Sequence, residues 1–264
     1  MTTRIKLERS GPLATLWLDR VDKRNALDAA AMKELAAALD EIGSSRDTRV
    51  VLLRGRGPVF SSGIDHSLLA EVFGKTQSSP FLHLHHDLQD VFHRIARMHQ
   101  PVIAVLHGIC TGMALELALA CDLRLASEDC VLGLPEIAFG LVPDVGGTTR
   151  LIRAVGEPRA RDLILTGRLV KARTAERYGL VHDVAADAAS LDALATRRAE
   201  QLAAHAPTAV GLAKTLCQAS ADADTATSFR LEGVVQQALL AQPDLMSRFP
   251  AAVAFIKAQV AAAE

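Results

Sequence analysis

The sequence predicts an α/β fold with mainly parallel strand pairing. Three observations carry this. The apolar runs VVLLRGRG, PVIAVLHG and DLRLAS have strand character and are separated by helical patterns, the order that places strands side by side in parallel. Half of the 264 residues are hydrophobic and 22% are charged, which suits a large core and excludes intrinsic disorder. Beyond about residue 145 the pattern is almost wholly helical.

The elements follow in order. IKLERSGPLATLWLD reads as a hairpin of two alternating strands around Ser10-Gly11-Pro12. Asp28 is placed to cap a helix with Met32, Leu35, Leu39 and Ile42 at helical spacing, and Gly43 to end it. VVLLRGRG is a buried strand, and the Phe60-Ser61-Ser62-Gly63 turn leads into a second helix at IDHSLL. GKTQSSP (74–80) is a loop, and 81–98 an amphipathic helix. Pro101 opens the strand PVIAVLHG, followed by helix GMALELALA and strand DLRLAS. Helices GGTTRLIRAVG, EPRARDLILTG and KARTAERYG come next, then a short strand LVHDV. Ala-rich helices fill 190–264. The strand–turn–helix theme recurs without a fixed period. The expected division is a core over 1–200 and a C-terminal helical module over 201–264.

Charge narrows the function. Lys and Arg number 29 against 30 Asp and Glu, so no net basic field draws the chain onto nucleic acid. From Val102 to Ala120 run 19 residues with one charge, Glu116, close to the length of a membrane span. Gly108 and Gly112 break the run, His107 sits inside it, and no aromatic belt or basic cluster flanks it. A buried strand, turn and helix is the expected reading, with no membrane partner. The final segment FPAAVAFIKAQVAAA has few cations on its polar face and is read as subunit packing. The N-terminus lacks a continuous apolar stretch, and Cys110, Cys121, Cys130 and Cys217 have no CxxC spacing. Buried free thiols in a reducing cytoplasm are expected.

The chemistry concentrates between residues 60 and 145. Backbone N–H groups at a helix start lack intrahelical partners and sit at the positive end of the dipole. Two such places occur, at Ile64 after FSSG and near Gly112 or Met113 in HGICTGM, although Gly-rich strand–helix turns are also common as purely structural features. Two N–H groups converging on one carbonyl oxygen make an oxyanion hole. Three carboxylates lie in apolar context nearby: Glu116, Glu136 in LGLPEIAFGL, and Asp144 in LVPDVGGTTRL. Burial raises a carboxyl pKa toward the range of acid–base catalysis. Each also has a structural reading: Glu116 as a buried structural acid, Glu136 as a turn cap after Pro135, and Asp144 as a cap for the helix opening at Gly146.

The stretches DKRNALD, VVLLRGRGPVFSSGIDHSLL, PVIAVLHGICTGMALELALACDLRLASED, LGLPEIAFGLVPDVGGTTRLIRAVG and TGRLVKARTAERYGLV together resemble the enoyl-CoA hydratase/isomerase superfamily, the crotonases. The resemblance covers about residues 5–185. It implies a crotonase-like spiral of repeated ββα units with a C-terminal helical oligomerisation module, assembled as a homotrimer or a hexamer of two trimers. It implies an acyl-CoA thioester substrate whose carbonyl is held by Ile64 and Met113 N–H. Glu116 matches the base that activates water, and Glu136 the acid that protonates the α-carbon. The implied activity is hydration of a trans-2-enoyl-CoA to a 3-hydroxyacyl-CoA, as in fatty acid β-oxidation. No cofactor is implied, since coenzyme A belongs to the substrate.

Two features depart from the hydratase pattern. Met113 stands where the family usually has Gly. Asp144 is an acid where a hydratase often has Gly, which resembles the Δ3,5-Δ2,4-dienoyl-CoA isomerases; an isomerase working through Glu116, Glu136 and Asp144 is the alternative. PDVGG also occurs in the 3-hydroxyisobutyryl-CoA hydrolases, but those lack an acid at the position of Glu116. A third reading is a CoA-binding protein without catalysis. The CoA contacts implied are Arg24, Asn25, Ala26, Ser62, Ile64 and Asp65. Ser67 replaces a lysine often found after that Asp. Phe255 and Lys257 resemble a Phe/Lys pair reaching CoA from a neighbouring subunit, the lysine about one residue out of register. The histidines at 83, 85, 86, 93 and 99 lack a carboxylate or cysteine cluster to complete a metal set, and no metal is expected.

Overall fold

The computed structural model describes residues 3–74 and 80–263, with the side chains of 71–74, 80–84 and 262–263 outside that description. The expected loop over 74–80 falls largely outside the described residues. The chain divides into two compact units, Met1–Pro207 and Thr208–Glu264.

The first unit is built on two sheets. β1 (Ile5–Ser10) and β2 (Leu13–Leu18) form the hairpin, pairing antiparallel from Ile5↔Leu18 to Ser10↔Leu13. α1 (Ala29–Ser44) follows, with Asp28 accepting from Ala31 N at 2.8 Å as its cap. Met32, Leu35, Leu39 and Ile42 are its buried face, but it runs past Gly43 and ends at Ser45. β3 (Val50–Gly55) is buried throughout. α2 (His66–Gly74) and α3 (Pro80–Arg97) come next. Leu88, Val91, Phe92 and Ile95 form the buried stripe of α3.

β4 (Val102–Leu106), β5 (Ile109–Thr111) and α4 (Met113–Ala120) form one strand–strand–helix unit. β6 (Leu123–Ser127), β7 (Val131–Gly133), a 3-10 turn at Glu136–Phe139 and α5 (Gly147–Val155) form another. In each unit the first strand joins the large sheet and the second joins the small one. The small sheet is not visible in the sequence, because strands of two or three residues carry no readable alternation. α6 (Glu157–Thr166), β8 (Val170–Lys171), α7 (Ala172–Tyr178), β9 (Asp183–Ala185) and α8 (Ala188–Ala204) complete the unit.

The large sheet has the order β1-β2-β3-β4-β6-β9 and the small one β5-β7-β8. Every pairing in the large sheet beyond the hairpin is parallel. Both faces of its centre are covered, which is why β3 and β4 read as continuous apolar runs. Val51, Leu53 and Ala104 face the main core; Val50, Leu52, Ile103 and Val105 face Leu191, Ala195, Ala199 and Ala203 of α8. Packing α8 onto the sheet carries the first unit to Pro207, beyond the boundary expected at 200.

The second unit holds α9 (Pro207–Ser220, its first residue in the first unit), α10 (Thr225–Leu240) and α11 (Phe249–Ala263). Asp224 caps α10 by accepting from Thr227 N at 3.0 Å. Phe229, Val234, Leu240, Phe249, Val253, Ile256 and Val260 are exposed on its helices. Among the described residues no helix is long and apolar enough to cross a membrane.

Candidate active site

Two laced segments form one wall of a cleft of about 440 Å3. The connection after β2 turns through Arg24 and Asn25, both in the left-handed region at φ 51° and 55°. Such backbone costs free energy unless its surroundings hold it. Asn25 supplies the hold. Its buried amide donates to the carbonyls of Arg56, Val59 and Phe60 at 2.8, 2.9 and 3.1 Å, and its Oδ1 accepts from Arg20 N at 2.9 Å. Asn25 therefore faces inward, while Arg24 and Ala26 line the cleft. Ser62 N donates to Arg24 O, Leu27 N to Gly63 O and Asp65 N to Leu27 O. These bonds draw Ser62, Ile64 and Asp65 onto the cleft as well. Asp65 accepts from Ser67 N and Oγ at 2.7 and 2.6 Å and pairs with Arg20 at 2.7 Å. The Ser67 bonds hold its carboxyl at about 2.

The second wall comes from α4. A side chain at Gly63 would stand 2.6 Å from Thr111 O and 3.4 Å from Met113 N, so the two helix starts touch here. Ile64 and Met113 both line the cleft, and among the described residues neither backbone N–H has an acceptor. Gly112, at φ 57°, turns the chain from β5 into α4, with Glu136 Oε1 3.2 Å from where its Cβ would be. Glu136 also lines the cleft. Its Oε2 is buried with no partner among the described residues.

Glu116 sits one turn into a helix buried on every side and is 2% exposed. Its Oε1 accepts from Gly147 N at 2.8 Å and Val145 N at 3.1 Å. Any side chain at Gly147 would collide with that carboxylate. Burial, repulsion by Glu136 and repulsion by Asp144 outweigh the two N–H bonds and push Glu116 up to about 8. Burial, with Asp144 again, pushes Glu136 up to about 7. Glu136 thus raises Glu116, and Asp144 raises both.

Asp144 stands apart in its contacts. It does not cap α5, whose cap is Gly146. Its side chain is 50% exposed, with Oδ2 3.4 Å from His85 Nε2. His85 and Gln89 of α3 also meet its carbonyl, at 3.0 and 2.9 Å. Burial raises its pKa and His85 opposes this. Phe255 and Lys257 lie on α11 of the second unit, both exposed. Among the described residues no three His, Cys, Asp or Glu side chains gather as a metal requires. His83 lies outside the side chains described.

Sequence reasoning did not single out Lys23, Thr111, Phe139 and Leu141, which also line the cleft. Lys23 carried a signal, since it belongs to the same DKRN stretch as Arg24. Phe139 carried none: it is 68% exposed on a short turn.

A spiral of strand–strand–helix units, with two free N–H groups and an acid pair where its helices start, defines the crotonase class. Residues 8–258 match the family Enoyl-CoA hydratase/isomerase. A probable enoyl-CoA hydratase from Rhizobium meliloti (strain 1021) is 36% identical, with 96% of each chain covered. The crystal structure of enoyl-CoA hydratase from Bacillus anthracis superposes with a TM-score of 0.86 at 32% identity, covering 96% of each chain. A putative enoyl-CoA hydratase from Thermobifida fusca, solved in complex with CoA, gives 0.80 at 34% identity over 90% of this chain and 93% of that one. The chain belongs to the enoyl-CoA hydratase/isomerase family.

Proposed function

We propose that this protein is an enoyl-CoA hydratase, a carbon–oxygen lyase acting on trans-2-enoyl-CoA thioesters. One observation carries the reading: half-buried Glu136 lines the cleft with Ile64 and Met113, and Glu116, buried one turn into the helix that Met113 opens, is repelled by it, both acids being raised toward neutrality. In the proposed reaction Glu116 takes a proton from water as the oxygen attacks C3. The two C2–C3 π electrons move onto the thioester, whose oxygen is met by the two N–H groups. Glu136 returns a proton to C2. Stabilisation that appears only as charge develops on oxygen lowers the barrier without tightening substrate binding.

The raised value leaves Glu116 largely protonated at neutral pH in the free site, and the two N–H bonds to its Oε1 favour the ionised form that the base role needs. The unpartnered Oε2 of Glu136 suits a protonated oxygen aimed at a reactant. Lys23 and Arg24 at the cleft fit the anionic end of coenzyme A, and the relative from Thermobifida fusca binds CoA by its description. Coenzyme A enters as part of the substrate, and no separate cofactor is required. We expect a cytoplasmic trimer or hexamer, with the apolar faces of α10 and α11 as the packing surface. Phe255 and Lys257 would then approach CoA bound by a neighbouring copy.

The isomerase alternative requires Asp144 as a second shuttle acid. Its exposed carboxylate beside His85 argues for the hydratase instead. Incubation with 2-enoyl-CoA and with 3,5-dienoyl-CoA separates the two. The hydratase gives 3-hydroxyacyl-CoA from the first. A conjugated dienoyl product from the second, lost in Asp144→Asn, would favour the isomerase.

A further inference from the structure

The Glu116 carboxylate depends on a turn that must be held from outside. Its two N–H donors, Val145 and Gly147, sit in the stretch between Pro143 and the first turn of α5. Gly146 between them adopts φ 104°, a conformation with no intrinsic stability for holding two N–H groups convergent. Thr148 Oγ1 donates to Pro143 O at 2.9 Å, and His85 and Gln89 meet Asp144 O, but the side chain that reaches Val145 and Gly146 themselves is Arg150. Its Nη1 donates to Val145 O at 3.1 Å, and its own N–H donates to Gly146 O at 3.0 Å. The guanidinium approaches Gly146 through Nη1: a Cβ there would fall 2.0 Å from Nη1 and 2.9 Å from Cζ. The two glycines of PDVGG thus serve different neighbours. Gly146 makes room for Arg150, and Gly147 makes room for Glu116.

We propose that Arg150 is a positioning residue for the hydration reaction: its guanidinium braces the Val145–Gly147 turn and keeps two N–H groups aimed at Glu116. The inference rests on the hydratase reading for its kinetic consequence, but the geometry of the brace does not. A guanidinium on the first turn of a surface helix would ordinarily extend into water. This one is half-buried instead, and burial lowers its pKa while the charge of Glu116 raises it. The two N–H bonds act on Glu116 directly and lower its value, so the brace works through them. The other groups that bear on the cluster are Glu136 and Asp144, Arg153 of α5, Cys121 at the end of α4, and His93 of α3, itself influenced by Arg97 and Asp90.

The test uses the full-length protein with Arg150→Gln and Arg150→Lys. Carboxyl 13C NMR follows the ionisation of Glu116, assigned through Glu116→Gln. kcat and KM for a 2-enoyl-CoA are measured across about pH 5–9. In Arg150→Gln, weaker N–H bonds should raise the Glu116 midpoint and the acidic limb of kcat together, by about one pH unit. kcat at pH 7 should fall about ten-fold, with KM nearly unchanged. Arg150→Lys should give a smaller shift in the same direction. A folded Arg150→Gln protein with an unmoved Glu116 midpoint overturns the proposal, even if it melts at lower temperature. Should the Gln variant not fold, the Lys variant decides: a raised midpoint supports the brace, and an unmoved one overturns it. If the wild-type protein hydrates no enoyl-CoA, the hydratase reading fails while the titration still judges the brace.

Discussion

Glu116 and Glu136 are both carboxyls in apolar surroundings, yet their environments differ. Glu116 is sealed in α4 and held by two N–H groups, whereas Glu136 reaches the cleft with an unpartnered oxygen. In the proposed reaction Glu136→Gln removes the proton donor while preserving shape. Hydration should fall by about 100- to 10,000-fold with the circular dichroism unchanged. Asn25 tests a structural role instead. Alanine there leaves three carbonyls, two of them buried, without this donor, at a cost of about 2–4 kcal/mol in unfolding free energy. Urea unfolding measures it, and an unchanged midpoint would contradict the assigned hold on the turn. These residues were unequally legible in the sequence. Glu116 stood out as the one charge in the most apolar stretch. Arg150 resembled any helix arginine, because its partner Val145 O is defined only by the folded turn.

At the scale of elements, the site depends on where short segments stop. β5 ends at Thr111 and α4 starts at Met113, leaving only Gly112 to reverse the chain beside Glu136. α5 starts at Gly147, where only glycine fits, since a Cβ there would lie 2.5 Å from Glu116 Oε1. Gly147→Ala should therefore displace the carboxylate and cost about 100-fold in kcat. Restored activity in that variant would mean that Glu116 tolerates movement. The long elements were readable because their periodicity is strong, as in the Leu88, Val91, Phe92 and Ile95 stripe of α3. The small sheet was not, since β5, β7 and β8 span three, three and two residues. Their register comes from tertiary contact, such as the Ser61↔Cys110 bridge that ties the turn before Ile64 to β5.

For the whole molecule, buried acids link stability to pH. Glu116 and Glu136 have folded-state values of about 8 and 7, above the ordinary 4.5. Between about pH 5 and 8 the folded state keeps protons that the unfolded chain has released, so stability falls as pH rises. Asp65, held at about 2, works oppositely: its contribution is present above the ordinary 3.8 and fades as pH drops toward 2. Glu116→Gln should therefore lose less melting temperature than wild type between about pH 5 and 8. An equal loss would contradict the raised value. The apolar surface of the second unit predicts assembly, and light scattering should give a mass three or six times 28.2 kDa. A monomer would remove the basis for a neighbouring copy at the CoA site.

The central claim is that Glu116 and Glu136 act as one acid–base pair beside the Ile64 and Met113 N–H groups. Its most direct test is the loss of enoyl thioester absorbance with crotonyl-CoA and longer, branched and aromatic 2-enoyl-CoAs. Turnover by wild type, with Glu116→Gln and Glu136→Gln each folded and slowed by about 100-fold or more, is the predicted result. Absence of turnover across all these substrates, or full activity in either glutamine variant, would contradict it.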